Sequence, residues 1–286
     1  MLVAWRYRER PGSLVQTFDP RAWFIFFGSF LFSVLMFWDL RYLAVFFATA
    51  VFFVVTAKIA WHEIRKALIF MGWLILVYTF LTFLTGRGGS EVFSQEHVLW
   101  SWTAPFSILG WTPTLQVTVE RICFAISQFF RMGAIALMTV IIPYSINPAL
   151  YGITFRGLGL SDKFAYAMDL TMRFVPSFGR DFQLTLDAQR ARGYELENFR
   201  GGLVQQVRKM VPLLVPVIIH AIIGSEDIID AMDLRAFGVG PRTWLEELHY
   251  RRRDRVLIAA AIVLLVGSIG LAMFGYGVFW VPVGYQ

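Results

Sequence analysis

Ala67–Gly86 reads ALIFMGWLILVYTFLTFLTG, twenty residues without one charged side chain. A helix of this run is about 30 Å long at 1.5 Å per residue, the thickness of the hydrocarbon core of a bilayer. The stretch is therefore a membrane-spanning helix, and its neighbours follow the same rule. Upstream, Lys58–Lys66 (KIAWHEIRK) is a basic loop. Before it, Ala22–Trp38 and Tyr42–Ala57 are uncharged runs separated by Asp39-Leu40-Arg41. One helix over both runs would be about 54 Å long, too long for a single crossing, so two short spans joined by a tight polar turn are expected.

Downstream, Gly86–Pro113 carries Gly86, Gly88, Gly89, Pro105, Gly110 and Pro113 together with Trp100, Trp102 and Trp111. Indoles favour the membrane interface, so this is a long loop that partly follows the membrane. The GRGG of Gly86–Gly89 is no phosphate loop, because the Gly-Lys-Ser/Thr ending is absent. Thr118–Pro143 forms a fourth span, with Arg131 near its middle and Glu120 and Arg121 at its outer end. An arginine at that depth costs about 2.5–3.5 kcal/mol on insertion scales and needs a partner or water. Val256–Gln286 has no charged side chain and forms a fifth span. Arg251, Arg252, Arg253 and Arg255 before it are placed to anchor it against anionic headgroups. The fold class is all-α: a polytopic membrane protein of about five spans with additional cytoplasmic helices.

Composition agrees. Apolar residues make up 57% and charged residues 16% of the 286, against about 45–50% and 25% in soluble domains. The one cysteine, Cys123, excludes an internal disulfide framework. The four histidines, His62, His97, His220 and His249, are scattered without zinc spacing, so no metal site or cofactor is expected. His220, on an apolar stretch, reads as a packed core histidine. A net charge of +6 comes with no nucleic-acid recognition motif, and the excess of Lys/Arg on cytoplasmic loops explains it better. Met1–Arg21 carries four arginines and no apolar core before Pro20, so it is a basic lead-in rather than a signal peptide. With the N-terminus inside, cytoplasmic segments hold 22 Lys/Arg and external segments two, Arg41 and Arg87. That asymmetry puts the N-terminus in the cytoplasm and the C-terminus outside.

Pro143–Arg255 is different in character, with 15 Lys/Arg and 13 Asp/Glu. The chain thus divides into 1–143 with four spans, 144–255 as a cytoplasmic region, and 256–286 as the last span. Val211–Ile223 is apolar but too short to cross and is interrupted by Pro212 and Pro216, so it is expected inside this region or at the interface. Ser161-Asp162 opens a helix to about Val175, and Pro176 suits the first turn of the next, which runs to Arg192. Gly193 stands where a left-handed terminating glycine belongs. Ser225 reads as an N-cap and Gly238 as the following stop. Each helix therefore carries an arginine near its C-terminus, Arg192 and Arg235.

RFVPSFGRDFQLTLDAQRARGYELENFR (Arg173–Arg200) and SEDIIDAMDLRAFGVGPRT (Ser225–Thr243) resemble the transmembrane subunit of energy-coupling factor transporters, the EcfT family with its CbiQ- and BioN-type relatives. Phe18-Asp19-Pro20-Arg21 and Asn147-Pro148 agree with it, and the match covers most of the chain in order. The resemblance implies two helices, each with an X-Arg-X motif that couples the chain to one of two ABC-type ATPases. The motifs here would be Ala191-Arg192-Gly193 and Leu234-Arg235-Ala236. It also implies a separate integral-membrane substrate-capture protein (the S component, for a vitamin or metal ion), a prokaryotic cell membrane, and no catalysis by this chain. The residues alone leave open that each arginine merely caps its own helix. Two rival functions come from other classes. An intramembrane enzyme would need paired catalytic groups, and no Gly-x-Ser-x-Gly, His-Glu-x-x-His or repeated Asp motif occurs. An ordinary ABC permease usually offers one coupling helix per chain, not two.

Overall fold

The computed structural model describes residues 7–85, 98–103, 114–193, 203–240 and 247–277. It divides into two compact units, and among the described residues the chain passes between them at 147/148 and 248/249.

The larger unit holds α1 (Pro20–Met36), α2 (Leu40–Thr56), α3 (Trp61–Thr85), the strands β1 (Val98–Thr103) and β2 (Thr114–Thr118), α4 (Val119–Ser145) and the last helix. The turn expected at Asp39–Arg41 is present. Asp39 is the N-cap of α2 and accepts the Arg41 N–H at 2.9 Å. Asp19 does the same for α1, with Pro20 in its first turn, where no N–H is missed. Both helices have 17 residues, about 25 Å, at the short end for a crossing. They are joined by aromatic rings: Trp23 and Phe26 each lie 5.1 Å from Phe53, and Phe30 lies 5.4 Å from Phe46.

The centre is α4, which packs on α1, α2 and α3. At Gly133 a Cβ would come within 2.8 Å of the Phe47 ring, so glycine is what lets α4 approach α2. Arg131 finds its partners inside this unit. It is buried, donates from Nη2 to the carbonyl of Phe37 at the end of α1, and lies 4.1 Å from the Trp38 ring centroid. The mid-span arginine therefore closes a helix end that hydrocarbon could not solvate. Glu120 is buried in the first turn of α4. Within the region expected as a loop, β1 and β2 pair antiparallel, Val98 opposite Thr118 and Thr103 opposite Thr114. Trp100 there is exposed. Gly86–Gly89 and the side chains of Trp102 and Trp111 lie outside the described residues.

The smaller unit contains α5 (Tyr151–Gly157), α6 (Asp162–Ala191) and α7 (Leu203–Leu234), and α8 (Arg252–Met273) then returns to the larger unit against α1. Four segments are long and apolar enough to cross a membrane: Trp61–Phe83, Val119–Ser145, Met210–Leu234 and Arg252–Met273. The third departs from expectation, because Val211–Ile223 is part of one unbroken helix rather than a short interrupted piece.

Candidate functional site

Further sequence expectations fail in the smaller unit, the first two at a proline and a serine. Pro176 does not divide α6, which runs unbroken from Asp162 to Ala191. A proline removes one hydrogen bond from a long helix, and the turns on either side hold it together. Ser225 starts no helix. It lies inside α7 and turns its hydroxyl back onto the Ile222 carbonyl at 2.6 Å. His220 is exposed on α7, not packed in a core.

How α7 tolerates Pro212 and Pro216 is visible in its partner. Pro216 has no N–H, so the carbonyl of Pro212, four residues earlier, loses its helical donor. Gln189 of α6 supplies one, with Nε2 3.3 Å from that carbonyl oxygen. At the opposite end of the pair, the Tyr166 ring of α6 lies 4.5 Å from that of Phe237, and its hydroxyl is 3.4 Å from Met232 Sδ. These two contacts make α6 and α7 an antiparallel pair. The C-terminal ends of the two helices consequently point in opposite directions, separated by roughly 40 Å of α7.

The start of this pair is fixed by α5. Gly152 donates its N–H to Asp169 Oδ1 at 3.0 Å, and a Cβ at residue 152 would meet that carboxylate at 2.1 Å and the Ala165 carbonyl at 2.5 Å. Only glycine allows the contact. Ser161 caps α6, as expected, by accepting the Phe164 N–H.

Both candidate motifs finish a helix in the same geometry. Arg192 is the C-cap of α6, its N–H shared between the Ala188 and Gln189 carbonyls, and the Gly193 N–H closes on Arg190. Gly193 is left-handed, with φ +79°. Arg235 follows the last residue of α7 and donates its N–H to Met232. The Ala236 N–H then bonds Asp233 and the Phe237 N–H bonds Met232, the two bonds of a Schellman ending. Ala236 is left-handed as well, with φ +51°. The helix thus stops four residues before Gly238, the expected terminator, which takes φ +93° further on.

All six residues, Ala191, Arg192, Gly193, Leu234, Arg235 and Ala236, are exposed, Leu234 at 90%. Among the described residues neither arginine side chain has a hydrogen bond or ion pair, so neither caps its helix through the guanidinium. Each presents its donor fork outward from a rigid rod. No group of three or more His, Cys, Asp or Glu able to hold a metal ion occurs among the described residues.

Comparison with known proteins matches the sequence to a family. The sequence model described as CbiQ, cobalt transport protein, matches residues 12–243. The "Energy-coupling factor transporter transmembrane protein EcfT" of Lactococcus lactis subsp. cremoris is 25% identical over 271 residues, 91% of this chain and 94% of the relative. The protein of that name from Leuconostoc gelidum subsp. gasicomitatum is 29% identical over 273 residues, 90% and 92%. A third, from Thermosediminibacter oceani, is 34% identical over 117 residues, 40% and 43% of the two chains. With the family model spanning both helix ends and the five helices α1 to α5 before them, this chain belongs to the CbiQ family.

Proposed function

We infer that this chain is the transmembrane component of an energy-coupling factor transporter and that it couples two cytosolic ABC-type ATPases to a membrane-embedded substrate-capture protein for a vitamin or metal ion. Family membership and the apolar helices support a transporter subunit of the membrane. The observation that carries the finer reading is the pair of matching helix ends, each with an exposed arginine that binds nothing within the described chain. A guanidinium held there can make several charge-assisted hydrogen bonds to carboxylates or carbonyls in a partner's groove. Two such ends, on one antiparallel pair, suit two copies of a similar partner, one per arginine.

On this reading residues 144–255 are the cytoplasmic coupling region, with the N-terminus inside and the C-terminus outside, as the distribution of positive residues argues. ATP hydrolysis belongs to the partner subunits, and substrate choice to the capture protein. Co-purification tests it: the tagged chain should bring down two ATPase subunits and one small membrane protein. Recovery as a dimer of itself, with one ATPase per chain, would instead make it an ordinary permease.

A further inference from the structure

Resting on that coupling role, we propose that the N-terminal segment from Arg10 to Arg21 is a brace whose hydrogen bonds and charged contacts position both places where the described chain passes from one unit to the other. The first passage follows α4, at 147/148. Arg10 donates from Nη1 to the Tyr144 carbonyl at 2.8 Å, three residues before it, and from Nη2 to Glu63 Oε2 at 2.6 Å. The Tyr144 hydroxyl donates to the Glu63 carbonyl at 3.1 Å, which closes a ring of three residues. The Arg10 and Glu63 side chains are only 11% and 16% exposed. The last turn of α4, with its carbonyls orphaned, is thus capped by a residue 134 positions away.

The second passage precedes α8, at 248/249. There Asp254, 1% exposed, accepts the Asp19 N–H at 2.8 Å and the Arg251 N–H at 2.7 Å. Asp19 in turn holds Arg21 at 2.9 Å, and the Arg21 guanidinium lies 4.0 Å from the Tyr250 ring centroid, two residues after the passage. Between the two clusters the segment is fastened to the end of α2 by the Leu14 N–H on the Thr56 carbonyl at 3.1 Å. One stretch of a dozen residues therefore fixes the last turn of α4 and the first turn of α8.

Helix ends are where a structure opens first, and a displacement applied at a frayed end is lost in local unfolding. A buried charged group whose hydrogen bonds are made holds its backbone in one geometry and resists that opening. With both ends held, a pull on residues 148–248 reaches α4 and α8 as whole helices. These are positioning residues, which act through the ends of α4 and α8.

The experiment has two arms and uses Arg10→Lys and Asp254→Asn, conservative changes that leave the pairs able to form in part. Arg10→Lys cannot serve Tyr144 and Glu63 together, and Asp254→Asn has one acceptor for two N–H donors. In the purified full-length chain, amide exchange should quicken about tenfold at residues 142–147 in the first variant and 251–257 in the second, with α2 and α3 unchanged. In the reconstituted complex, ATP hydrolysis should stay within about twofold of wild type while substrate moved per ATP falls severalfold. Unchanged exchange in both variants would overturn the brace. Faster exchange with a wild-type transport-to-hydrolysis ratio, or a loss confined to the amount of complex, would overturn the positioning role. Failure of the coupling reading itself would show separately, as wild-type chain that recovers no ATPase.

Discussion

The ends of α6 and α7 share a backbone and differ in almost everything else. Gly193 takes the left-handed position after Arg192 without strain, whereas Ala236 takes it after Arg235 at about 1–2 kcal/mol for its Cβ. The settings differ in charge too. The α6 end carries Arg190, paired with Asp187 at 3.5 Å, beside Arg192, and positive charge suits the negative end of the helix dipole. The α7 end carries Asp230 and Asp233 against that dipole. A strained, unfavourably charged end persists because Phe237 is fastened to Tyr166, an aromatic pair worth about 0.5–1.5 kcal/mol beyond its burial. What the two ends have in common is therefore the arginine and its outward aim, and this common part is what a shared task would preserve.

Substitutions at the two helix ends should separate these contributions. The largest effect is expected from the arginines. Arg192→Gln and Arg235→Gln should each lower uptake tenfold or more in whole-cell transport assays, with thermal stability of the purified chain changed by no more than about 1 kcal/mol. Equal losses would support equivalent roles; loss from one alone would make the other end a bystander. Next, Tyr166→Ala should loosen the α7 end and spare the α6 end. Its cost should be about 2–4 kcal/mol, and faster amide exchange should be confined to residues 230–239. The smallest effects concern the left-handed positions. Gly193→Ala should cost about 1 kcal/mol, while Ala236→Gly should be neutral or stabilising by up to about 1 kcal/mol. Thermal denaturation of the two purified variants checks the opposite signs.

The parts of this fold legible in the sequence were those governed by one local rule. Long apolar runs marked the five helices of the larger unit, and Asp39-Leu40-Arg41 marked a turn because one helix over both flanking runs would be too long for a single crossing. Pro176 and Ser225 misled because the same rules name preferences that tertiary contacts override. The carbonyl freed by Pro216 is rescued by Gln189, 27 residues earlier, and no pattern along the chain announces that pairing. Likewise Arg10 counted only as one of four positive residues in the lead-in, although its partners Glu63 and Tyr144 make it part of a buried cluster. Capping signals placed the two arginines near helix ends, and only the resemblance gave them a task. Their shared ending was hidden because one has glycine and the other alanine at the position that decides it.

Whether Arg192 and Arg235 hold the ATPases is decided by ATPase retention on membranes carrying Arg192→Glu and Arg235→Glu together. Reversed charge in a groove built for a guanidinium leaves a buried carboxylate unpaired, a penalty of several kcal/mol at each end. The ATPases should leave the membrane fraction while the chain stays folded and inserted. Retention at the wild-type level, with normal uptake, would contradict this and reduce both residues to helix termini.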